Sequence, residues 1–114
     1  MKSYTDIEQS KKLAEILPLE SADMYWWATS KRYYIEAMDD GDFNEREGHV
    51  RAWSLAALLS VIRKTIGYTI YGVNNVYMSC DLGDKPWKLE TEVYDNEVDA
   101  CVEMIVKLKE NNII

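Results

Sequence analysis

A chain of 114 residues, 47% hydrophobic and 29% charged, is one domain on length and can bury a core without a metal or disulfide staple. Its net charge of −7 repels phosphate and argues against nucleic-acid binding as the main task, although a protein that imitates nucleic-acid charge would share it. Eight Tyr and four Trp against one Phe favour sheet faces and interfaces, because both ring types keep a polar tip.

The first helix is expected to open at Thr5-Asp6-Ile7-Glu8, where Thr5 and Glu8 have capping-box spacing, and to end before Pro18. Residues 24–28 and 33–38 read as two strands joined by the polar connection Thr29-Ser30-Lys31-Arg32. Alternation assigns Met24, Trp26, Ala28, Tyr33, Ile35 and Ala37 to one face, apolar enough for a core. It assigns Tyr25, Trp27, Tyr34, Glu36 and Met38 to the other. From Asp39 to Arg51 the pattern stops, which predicts a mobile polar loop.

The central helix is the least ambiguous element and the expected organiser of the core. Leu55, Leu58, Leu59, Ile62 and Ile66 share one face, Ser54 is a good N-cap, and Trp53 with Leu58 has the spacing of a hydrophobic staple. Gly67 is the expected stop. Strands follow at 68–73 and 76–81 across Asn74-Asn75, a pair that tolerates the positive φ of a tight turn. Trp87, Leu89, Thr91 and Val93 alternate with polar residues as a half-buried strand. The last helix starts at the N-cap Asn96, with Val98, Cys101, Val102, Ile105 and Leu108 as its buried stripe and Glu103–Lys107 as an outer pair.

Several stretches resemble a family of short uncharacterised proteins from anaerobic gut bacteria and their phages or mobile elements. They are Glu8-Gln9-Ser10-Lys11-Lys12-Leu13, Ser21-Ala22-Asp23-Met24-Tyr25, Ala52-Trp53-Ser54-Leu55 with Leu58-Leu59, and Val98-Asp99-Ala100. Relatives there tend to carry proline in place of Arg51 and Glu97; at the second position proline would suit a first helical turn. The resemblance implies an α+β fold and assigns no reaction and no site residue.

His49, the only histidine, is the one residue on which a Ser-His-Asp or Cys-His arrangement would depend. It stands in a polar loop without a nucleophile motif nearby and reads as a solvated histidine. Cys80 and Cys101 lack zinc-ligand spacing and read as buried thiols, one on a strand and one on a helix. Asp40, Asp42 and Asn44 start like a calcium loop, but Glu45 replaces the required glycine and Arg51 the bidentate glutamate. No phosphate-cradling glycine cluster and no singular carboxylate pair occurs, so no catalytic, cofactor-binding or metal residue is assigned. Polar residues directly after Met1, and the lack of a long apolar run, point to a cytoplasmic setting without membrane contact.

The expected architecture is one α+β domain over residues 1–114, in the order α-β-β-α-β-β-β-α, with three helices covering one face of a mostly antiparallel sheet of about five strands. The expected function is that of a small non-enzymatic accessory or interaction protein, derived from a phage or mobile element. Tyr25, Trp27 and Tyr34 are the candidate contact with a protein partner or a second copy. The competing readings are an acidic inhibitor of a nucleic-acid-binding protein and a small enzyme using His49.

Overall fold

The computed structural model describes residues 2–38, 43–83 and 88–114. It is α+β, with helices α1 (Ile7–Ala14), α2 (Leu55–Thr65) and α3 (Glu97–Glu110). The six strands are β1 (Met24–Ala28), β2 (Tyr33–Ala37), β3 (Val50–Ala52), β4 (Tyr68–Tyr71), β5 (Tyr77–Asp81) and β6 (Lys88–Glu90). They form two separate antiparallel three-stranded sheets, β2-β1-β3 and β4-β5-β6, instead of one sheet of about five strands. No helix among the described residues is long and apolar enough to cross a membrane.

The division into two sheets has a local cause. The chain just past β3 has its backbone taken by the N-terminal segment: Thr5 N donates to Trp53 O at 2.9 Å and Leu55 N to Ser3 O at 3.0 Å. The continuation of the β3 edge is therefore occupied by the N-terminal segment, where a strand from the second hairpin would otherwise extend the sheet. Thr5 does this in place of capping α1. It is fully buried, and its hydroxyl accepts Trp53 N at 3.1 Å and lies 2.8 Å from the Ser10 hydroxyl. The cap passes to Asp6, which forms a reciprocal capping box with Gln9. The helix stops at Ala14, ahead of Pro18, because a tighter bond from Ile16 N to Leu13 O closes its last turn.

The main core lies over the second sheet. Ile70, Met78, Cys80 and Leu89 share its inner face by register, and all pack into a cluster with Leu13, Trp53, Leu58, Ile62, Met104, Ile105 and Leu108. The organiser of this core is α3, not α2. Seven α3 residues are buried, including the whole predicted stripe plus Ala100 and Met104, whereas α2 buries only Leu58 and Ile62. Leu55, Leu59 and Ile66 are half-buried. Ser54 caps α2 as expected, accepting Ala57 N at 3.2 Å, and is itself held by Asp23, whose carboxylate accepts from the Ser54 amide and hydroxyl. Gly67 does not adopt a left-handed conformation; α2 ends instead on an extended Ile66.

Two further expectations are corrected by the second sheet. The β4–β5 turn takes its positive φ at Gly72 (+96°), not at Asn74 or Asn75, and a Cβ on Gly72 would lie 2.0 Å from Asn75 O. The strand expected to run through Val93 ends at Glu90. There the Thr91 side chain intrudes and accepts Met78 N at 2.9 Å, the chain bulges, and Val93 is 60% exposed. Pairing resumes only at Tyr94, with Val76. Trp87 lies outside the described residues.

Candidate interface on the first sheet

The β1–β2 hairpin forms where its period-2 pattern predicts, and its register sets Trp27 opposite Tyr34, Tyr25 opposite Glu36 and Trp26 opposite Ile35. Its connection is tied by Thr29, whose amide donates to Arg32 O at 2.9 Å and whose hydroxyl accepts the amides of Lys31 and Arg32. The alternation is as expected, but the apolar face is not core: no residue of β1 or β2 belongs to the main buried cluster. Trp26 is half-buried against the N-terminal segment, edge-on to Tyr4 at 5.7 Å with its indole N–H donated to Thr5 O.

On the opposite face the three candidate aromatics separate. Trp27 and Tyr34 are half-buried and stack on each other at 4.6 Å, as a directly opposed cross-strand pair can. Arg32 lies 4.5 Å over the Tyr34 ring, adding a cation to the strip. Tyr25 is only 5% exposed, stacked on His49 at 5.2 Å and edge-on to Phe43 at 5.7 Å. Of this trio only Trp27 and Tyr34 keep part of their rings open to solvent, while Tyr25 lies beneath the His49 turn.

The cover on Tyr25 comes from residues 43–51, read in the sequence as the tail of a mobile loop. The described part is anchored: Asn44 caps a short 3-10 turn (Glu45–Glu47), left-handed Gly48 closes it, and β3 follows. The His49 ring is half-buried, not solvated. Its Nδ1 accepts the Asn44 amide at 3.1 Å, and its Nε2 lies 3.7 Å from Glu47. Arg51 sits 4.5 Å over Phe43 and 3.6 Å from Glu45. Residue by residue, His49 holds a turn against the sheet. Asp40 and Asp42 lie outside the described residues, and among the described residues no group of three or more His, Cys, Asp or Glu could hold a metal ion.

A second polar cluster, missed by the sequence reading, lines a cleft of about 380 Å³ between α1 and α3. Lys2 Nζ lies 2.8 Å from Asp99 and 3.0 Å from Asp6; Gln9 and Asn96 donate to the two Asp99 oxygens at 2.8 and 2.9 Å. Burial alone would push the Asp99 carboxyl up, but bonds from Lys2, Asn96 and Gln9 outweigh it and hold it below its ordinary value. Tyr94 donates to Glu103 at 2.6 Å, and this bond, then burial, pushes its phenol up to about 12. The named groups satisfy one another, which suits a clamp better than a proton-transfer site.

Cys80 on β5 and Cys101 on α3 are free and buried, as expected. Burial pushes Cys80 up to about 11 and, joined by Glu97 and Cys80, pushes Cys101 up to about 12. Neither is a thiolate nucleophile at neutral pH.

No family model, curated protein or solved structure matches the chain.

Proposed function

We propose that this chain is a small non-enzymatic interaction protein that makes contact through the Trp27–Tyr34–Arg32 strip of its first hairpin, with a second copy or another protein. The observation that carries the reading is the stacked Trp27–Tyr34 pair: half-buried, outside the main core, and topped by an arginine. Trp, Tyr and Arg are the residue types enriched where interfaces concentrate their binding energy. The phage or mobile-element origin and the cytoplasmic setting belong to the same proposal. The first rests on the sequence resemblance alone. The acidic-inhibitor reading rests on the net charge of −7, and no described geometry adds to it. The enzyme reading rests on His49, whose Nδ1 is already engaged by the Asn44 amide.

The test replaces both rings. Trp27→Ala combined with Tyr34→Ala is expected to weaken association, read by light scattering across a concentration series and by capture of partners from the native host, more than it lowers the melting temperature. A double variant that associates like the wild type removes the strip as the contact.

A further inference from the structure

We propose that β2 is a docking edge for a second copy of this chain, pairing antiparallel with its own counterpart to make one continuous sheet in the order β3-β1-β2-β2-β1-β3. The inference rests on the interaction reading above and names the partner and the geometry of that same surface.

The sheet edges are not equivalent. The chain past β3 is closed by residues 3–5. Strand β6 has only three residues and places Lys88 and Glu90 on either side of Leu89, charges of the kind that blunt an edge. Strand β4, Tyr-Thr-Ile-Tyr, is open but has no charge to select a partner. Among the described residues strand β2 has no neighbour on its outer side; it is five residues long, contains no proline and ends a sheet whose other side is already paired.

Its hydrogen-bond parity is known. Met38 N donates to Asp23 O and Thr29 N donates to Arg32 O, so even-numbered residues of this strand face β1. Tyr33, Ile35 and Ala37 therefore turn their N–H and C=O groups to the open edge. A two-fold axis through Ile35, perpendicular to the sheet, makes Ile35 its own partner and sets Tyr33 against Ala37 in both directions. Every outward amide and carbonyl of the strand is then paired, and each side chain keeps its face.

The charges fit the same axis. Tyr34 of one copy stands opposite Glu36 of the other, and Arg32, already over Tyr34, lies diagonal to that Glu36. Symmetry makes this pairing twice. Tyr33, 52% exposed, gains cover from the facing strand. A pairing of this length lies at the small end of protein interfaces, so the association is weak and is measured up to millimolar concentration.

Sedimentation of the full chain tests this with charge exchange. Arg32→Glu alone and Glu36→Arg alone each set like charges together twice and should raise the dimer dissociation constant about tenfold; the two combined should restore it. Ile35→Pro should abolish the dimer while keeping the hairpin, because the N–H it removes faces outward, away from β1. Circular dichroism checks that each variant folds. A wild type that stays monomeric at millimolar concentration overturns the second copy as occupant, yet leaves a foreign partner at Trp27 and Tyr34. A dimer that dissociates in the Trp27→Ala/Tyr34→Ala variant but ignores both single exchanges overturns the β2 pairing and keeps the strip.

Discussion

The two sheets use the same hairpin logic to opposite ends. In the second, aliphatic and thiol side chains of β4, β5 and β6 face α3 and vanish into the core. In the first, Tyr and Trp rings lie on both faces, none of the β1 or β2 residues enters that core, and one edge is open. Alternation alone makes the two hairpins look alike. What separates them is where the covering helix lies: α3, with seven buried residues, packs on β5 and β6, whereas α1 packs on β3 of the first sheet and the β1–β2 hairpin receives the N-terminal segment and a 3-10 turn. Sheet faces left without a helix are built from residues that tolerate both water and contact.

That contrast can be broken by substitution. Leu58→Ala, at a fully buried site in the core cluster, is expected to cost about 2 to 5 kcal/mol, read by denaturant unfolding. Trp27→Ala on the first sheet should cost only about 1 to 2 kcal/mol, from a lost aromatic stack and partial burial. Equal losses at the two positions would mean that the first sheet is core after all.

Asp99 sharpens the comparison because it ties α3 to the segment that braces the first sheet. Asp99→Asn is expected to cost about 1 to 3 kcal/mol at neutral pH, through loss of charge-assisted bonds. Its folded carboxyl titrates below the ordinary value, so the stabilisation is fully present above that value, 3.8, and is lost as pH falls through the folded one. Wild type and variant should therefore begin to converge as pH falls past 3.8 and meet only below the lower folded value, measured by unfolding across an acid series. A gap that persists in strong acid would assign the effect to packing.

The smallest expected effect lies on α2. Leu59→Ala should cost about 1 kcal/mol, since only part of its side chain leaves water on folding. A loss as large as that of Leu58→Ala would return α2 to the organising role its periodicity suggests.

The long periodic elements were legible: α2 and α3 with their Ser54 and Asn96 caps, the first hairpin, and the pairing of β4 with β5. Strand β3 was not, because the three residues Val50-Arg51-Ala52 are too short a run for alternation to mark a strand, and they become one only by pairing with β1. The exchange of caps between Thr5 and Asp6 depends on Trp53, which lies 48 residues away. The clamp of Lys2 on Asp99 spans 97 residues, and no local pattern announces it. Within the candidate site, face assignment placed Trp27 and Tyr34 correctly together, while the burial of Tyr25 waited on a turn that folds back through His49.

That long clamp has a consequence for the order in which the domain assembles during synthesis. Residues 2–6 leave the ribosome well before the Asp99 carboxylate that grips Lys2, which is made 97 residues later. At about 5 to 20 residues per second, the amino-terminal segment waits seconds for its partner. Its earlier contacts with Trp53 and Ser54 can form meanwhile. Until the last helix arrives, Thr5 and Tyr4 hold this segment on the nascent first sheet without its final lock. Under the proposed β2 pairing, that edge would meet a neighbouring nascent chain before the core beneath α3 has closed, so pairing between copies would compete in time with completion of the fold.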